Sequence, residues 1–150
     1  MDLAKLVGNK SLGYRMEQKS WKKYLFGKEI YVEATILDNG ATVFVTGGDS
    51  SHIGAISVAE TGNGSGDAEE QMQETCLTAE GKSRVLCQTI EFPGHKEAVI
   101  SEKWAKELAG KWKCRVIVQA GIHYDNVTKE QIRQIVVMTD EMLKEVVKWK

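Results

Sequence analysis

Apolar residues recur at every second position from Ile30: Ile30, Val32, Ala34 and Ile36 alternate with Tyr31, Glu33 and Thr35. A period of two is that of a strand with one buried face, so a first strand is predicted here. Asp38-Asn39-Gly40 follows with turn chemistry, and Ala41 to Thr46 resumes the β-branched pattern. That is a hairpin signal, with the second strand ending at Gly47-Gly48. His52 to Ala59 reads as a third strand, in which Ile53, Ile56 and Val58 supply apolar surface while Gly54 and Ala55 leave room for close backbone approach. Arg84 to Phe92 reads as a fourth, closed by Pro93-Gly94.

Beyond Pro93 the period lengthens. Ser101 is a candidate cap for a helix that carries Trp104, Ala105, Leu108 and Trp112 on one face. Cys114 to Gln119 is short and β-branched and reads as a buried fifth strand. Thr128 and Gln131 make a capping-box pair ahead of a final helix striped by Ile132, Ile135, Val136, Met142, Leu143 and Val146. Glu130 near its start and Lys144, Lys148 and Lys150 near its end agree with the helix dipole. The expected fold class is α+β: a mostly antiparallel five-stranded sheet in the order β-β-β-β-α-β-α, built as a meander with the helices packed on it.

Two segments fall outside this pattern. Residues 1–28 are polar and Lys-rich, with Trp21, Tyr24, Leu25 and Phe26 clustered near the end, and read as an N-terminal arm. Residues 60–83 are Gly-rich, polar and acidic and read as a long mobile loop. At 150 residues, 42% of them hydrophobic, the chain is expected to form a single domain, 1–150. Lys plus Arg number 20 against 21 Asp plus Glu, a balance that gives no footprint for nucleic acid or for an anionic membrane surface. No apolar run reaches the roughly 20 residues of a membrane helix, and a cytoplasmic protein is expected. Cys76, Cys87 and Cys114 lack metal-ligand spacing and fit reduced thiols. Four tryptophans and a long amphipathic helix in so small a domain suggest a homo-oligomer.

Chemistry concentrates in two stretches, GGDSSHIGA from Gly47 to Ala55 and GIHYDNVT from Gly121 to Thr128. In the first, glycines free the backbone for a ligand while Asp49, Ser50, Ser51 and His52 offer hydrogen bonds. In the second, Asp125 is placed to orient His123 or share a ligand, Asn126 offers donor and acceptor, and the helix entrance favours an anion such as phosphate. Each stretch is equally well read as a turn, with Asp125 and Asn126 as Asx-turn residues. His95, beside Pro93-Gly94, reads as a turn residue. His52, His123 and Asp125 form a nitrogen/oxygen set suited to a divalent ion, which would make the chain a small metal-dependent hydrolase. Ser50 or Ser51 paired with His52 lacks a nucleophile elbow.

The segment GG-D-x-x-HIGA in mid-chain and the segment G-x-H-x-DN-x-T before a C-terminal helix resemble the LpdD-like prenylated-flavin chaperone family. The resemblance covers about Glu29 to Lys148. It implies a fold related to proteasome assembly chaperones and a non-catalytic accessory protein that binds prenylated FMN or FMN, or delivers it to a UbiD-type hydroxyarylic acid decarboxylase subunit. It further implies a cofactor surface shared by Gly47, Gly48, Asp49, His52 and Gly54 with Gly121, His123, Asp125, Asn126 and Thr128. The arm and the 60–83 segment match nothing in the family pattern. A third possibility is an assembly chaperone that acts through protein contacts without a small ligand, using exposed apolar surface.

Overall fold

A computed structural model describes residues 13–62, 74–77, 84–94 and 96–150. Its elements run β1 (Met16–Leu25), β2 (Lys28–Leu37), β3 (Gly40–Gly48), β4 (Ser50–Gly62), β5 (Glu74–Leu77), β6 (Arg84–Glu91), α1 (Ala98–Trp112), β7 (Arg115–His123) and α2 (Lys129–Val147). The fold is α+β, as expected. The strands form one seven-stranded sheet in the order β1-β2-β3-β7-β4-β6-β5.

Two strands exceed the expected five, and both are edges. Met16–Leu25, within the segment read as an arm, pairs antiparallel with β2 through a turn at Phe26 and Gly27. Both turn residues have positive φ, 53° and 72°, the backbone that suits a two-residue hairpin. Phe26 bears this conformation without a glycine's freedom, with its ring edge-to-face on Tyr124 at 5.8 Å. Most of β1 faces water, and only Trp21 and Leu25 pack on the core, which leaves little apolar alternation to read. At the other edge, Glu74–Leu77 pairs with β6, and β4 runs on to Gly62. Both lie within the segment expected as a loop. Residues 63–73 and 78–83 of that segment, residues 1–12 of the arm, and His95 lie outside the described residues.

The meander is corrected in its centre. β3 and β4 follow one another directly, yet they part to admit β7, which pairs parallel with β3 and antiparallel with β4. The sheet is therefore mixed, with this one parallel ladder among five antiparallel ones in the described residues. A run such as Arg115-Val-Ile-Val, apolar on both faces, is suited to a central position.

One face of the sheet carries the core. Ile30, Val32, Ala34 and Ile36 of β2, Val43 and Val45 of β3, Val116, Val118 and Ala120 of β7 and Val85 and Cys87 of β6 cluster with Trp104, Ala105, Leu108, Ala109 and Trp112 of α1 and with Met142, Leu143 and Val146 of α2. Burial of such side chains contributes about 1.5–3 kcal/mol each. Ile132, expected in the α2 stripe, is exposed. Ser101 is not a cap either: α1 begins at Ala98 after Glu97, and Ser101 is buried one turn in, its Oγ 2.8 Å from Ser57 Oγ. A partner across the interface satisfies the hydroxyl that would otherwise favour a helix end.

Candidate functional site

The two stretches meet at the C-terminal end of β7. Because β3 and β4 straddle that strand, the turn between them, Gly48-Asp49, closes over its last residue. Gly48 and Ser50 both stand opposite His123, and Asp49 N–H donates to the His123 carbonyl at 2.6 Å. Asp125 N–H donates in turn to Asp49 Oδ2 at 2.8 Å, and Lys28 Nζ lies 3.6 Å from Asp49 Oδ1. Asp49 thus ties both stretches together.

The glycines serve this closure. A Cβ on Gly48 (φ 88°) would collide with the His123 carbonyl, one on Gly47 (φ 152°) with the backbone of Glu29 and Ile30, and one on Gly121 with the His52 carbonyl. Their small size lets strands approach each other, a role within the fold beside the ligand approach expected of Gly47 and Gly48. Thr46 of β3 reinforces the junction, donating from Oγ1 to the Gly121 carbonyl at 2.9 Å.

Between Ser51 and Ala55 the β4–β7 ladder shifts register, so His52, Ile53 and Gly54 bulge out opposite Gly121. A bulge re-aims the side chains it carries. Ile53, expected to supply strand surface, is consequently exposed, and His52 turns towards the start of α1. There its Nε2 lies 2.9 Å from Glu97 Oε1. Gly54 makes space for that carboxylate, since a Cβ would strike Glu97 Oε2.

His52 and His123 lie side by side, their ring centroids 6.0 Å apart and edge-to-face at 81°. His123 has its own carboxylate, with Nε2 2.9 Å from Asp125 Oδ1. The two pairs differ in exposure: 21% and 11% for the side chains of His52 and Glu97, against 51% and 69% for His123 and Asp125. The inner pair belongs to the scaffold and the outer pair faces solvent. Asn126 is exposed with φ 54°, the left-handed turn position that Asn tolerates. Thr128 completes the predicted capping box, accepting from Gln131 N–H while Gln131 Oε1 accepts from Thr128 N–H. That box takes two of the helix-entrance donors expected to face a phosphate.

Two contributors escaped the sequence reading. Glu97 precedes a helix without any cap signal, and only the bulge brings His52 to it. Tyr124 is buried, donates its hydroxyl to the Leu25 carbonyl at 2.9 Å, and holds the β1–β2 turn against the site. Burial, with Asp49 adding to it, raises its phenol above the ordinary value. Among the described residues no group of three or more His, Cys, Asp or Glu side chains is arranged to hold a metal ion. Within the set His52, His123 and Asp125, His52 Nε2 faces Glu97 and His123 Nε2 faces Asp125.

A family model described as a prenylated flavin chaperone LpdD-like domain matches residues 26–150. The chain belongs to this family. Protein LpdD of Lactiplantibacillus plantarum is 30% identical over 112 residues, which cover 71% of this chain and 66% of that protein. The chain therefore spans just under two thirds of that relative's length. A chain in the crystal structure of a chaperone complex for yeast 20S proteasome assembly is similar in fold, with a TM-score of 0.50 at 10% identity over 87% of this chain and 94% of that one. The description of the matched family model is that of a chaperone domain. Both histidine stretches lie inside the matched residues, whereas β1 precedes them.

Proposed function

We propose that this LpdD-like chaperone is an accessory protein that binds prenylated FMN or FMN beside His123 and delivers it to a UbiD-type decarboxylase subunit in the cytoplasm. The observation that supports the reading is the convergence of GGDSSHIGA and GIHYDNVT, with His52 and His123 at 6.0 Å on the end of one central strand. The donor set suits a flavin rim. With Nε2–H of neutral His123 directed at Asp125, Nδ1 is an acceptor, which matches the ring N–H of an isoalloxazine. The phosphate would lie away from Asp49 and Asp125, towards the α2 entrance, where Lys129 and Glu130 carry the amides outside the capping box. When bound, the flavin would be cargo, and the chain's residues hold and orient it.

Calorimetry with FMN tests the reading. Binding to the folded wild type and its loss in a folded His123→Ala variant are expected; a folded wild type that takes up no FMN or prenylated FMN would overturn the ligand half. A second reading, an assembly chaperone that works by protein contacts, draws on the sheet face opposite the helices. There Phe44, Ile56, Val58, Ile90 and Ile117 are in register, with Ile117 opposite Val58 and Ile56 opposite Ile90, and none is fully buried. On either reading that face is the proposed site of homo-oligomer formation. Capture of the decarboxylase subunit that is indifferent to changes at both histidines would favour the second.

A further inference from the structure

Glu97 has no role in any motif, yet the fold goes to some length to place it. It sits on the turn ahead of α1, where its carbonyl accepts from Ile100 and Ser101 N–H at 3.0 Å each, so its backbone is fixed by the helix it starts. Phe92 N–H donates to the Gly54 carbonyl at 2.9 Å, pinning the bulge of β4 against the end of β6. The Glu97 carboxylate then enters the space a Gly54 side chain would fill and meets His52 Nε2 at 2.9 Å.

An ionised carboxylate only accepts hydrogen bonds, so a neutral imidazole that bonds to it does so through an N–H, and at His52 the nitrogen within reach is Nε2. His52 Nδ1 is itself buried, so both ring nitrogens point into the protein. Among the described residues the His52 ring meets that of His123, which is 51% exposed and paired with Asp125. We propose that Glu97 is the positioning residue of this site: through His52, and with Gly54 as the space that admits it, it sets the orientation of the ligand-facing His123. His52 is then a support and His123 the residue that touches ligand. This inference rests on the ligand site proposed above for its effect on binding, and on the His52–Glu97 pair alone for its effect on the imidazoles.

Histidine ring correlation spectra of the isotope-labelled full chain, recorded where the rings are neutral, test it in the wild type, Glu97→Gln and Gly54→Ala. Thermal unfolding checks that each variant folds, and the near-isosteric Glu97→Gln keeps the test open if Gly54→Ala does not. A charge-assisted hydrogen bond of ordinary strength biases the two tautomers about tenfold or more towards Nε2–H. That bias is expected in the wild type and should shrink in both variants, with the His123 ring signals moving as well and FMN affinity falling several-fold. Unchanged His52 tautomer and His123 signals in folded Glu97→Gln would overturn the positioning role, as would altered signals with unaltered FMN affinity. If the wild type binds no FMN, the ligand site fails, and the ring spectra alone decide whether Glu97 positions the pair.

Discussion

At the scale of single residues, the glycines and carboxylates around His123 carry the most specific constraints. Gly121 is the sharpest case, because its missing side chain is what lets the His52 carbonyl cross the end of β7. Gly121→Ala must push one strand off the other, and overpacking of this kind costs about 1–3 kcal/mol or more. Denaturant unfolding should show that loss, together with a change in the His52–His123 ring contact. Tyr124 adds a pH dependence. Its folded phenol titrates above the ordinary 10.0, through burial and then Asp49. Below that pH both states keep the proton and the stabilisation is fully present; above it the unfolded chain ionises first, so stability falls as pH rises towards the folded value. Tyr124→Phe should flatten part of this alkaline loss in unfolding experiments followed across pH 9 to about 11. Asn126 at φ 54° was legible as a turn residue, whereas Glu97 was not, since its partner lies 45 positions away.

At the scale of elements, α2 is the best specified. Thr128 and Gln131 satisfy two entrance donors reciprocally, and Ile135, Met142, Leu143 and Val146 fall on the buried side. Both features are local and were readable from spacing. Thr128→Ala should lower stability by about 1 kcal/mol in a denaturant titration, and because the cap adjoins Asp125 it should also loosen the turn. α1 shows the limit of local rules: Ser101 looks like a cap but is buried at 0% exposure, engaged with Ser57 and through it with Thr89. The edge strands show another. β1 exposes most of its residues, and its turn uses Phe26-Gly27 in place of an Asn-Gly signal, so neither periodicity nor turn chemistry marks it.

At the scale of the whole molecule, both helices and the tryptophan-bearing core occupy one side of the sheet. The other side leaves Ile90, near the end of β6, 58% exposed and Ile117, near the start of β7, 36% exposed. Apolar surface of this kind, in register across β7, β4 and β6, is what the homo-oligomer face proposed above rests on. Ile117→Lys, which touches no core residue's burial on the helix side, should lower the solution mass measured by light scattering while leaving thermal unfolding of the chain cooperative. An unchanged mass would remove that face from consideration. Among the described residues no helix is long and apolar enough to cross a membrane.

What the sequence determined by itself was everything set by nearest neighbours: the β2–β3 hairpin, the apolar period of both helices, the capping box at Thr128, the α+β class and the two histidine-bearing stretches. These depend on spacings of a few residues, where backbone geometry and side-chain period act directly. What only the tertiary structure decided was the insertion of β7 between β3 and β4, the bulge at His52–Gly54, and the pairing of His52 with Glu97 and with His123. Each of these is a contact between segments 45 or more residues apart. The physical reason is that a strand's pattern records which face it buries and not which neighbour it pairs with. GIHYDNVT named its own residues, but the fork of β3 and β4 around β7 is what brought GGDSSHIGA onto it.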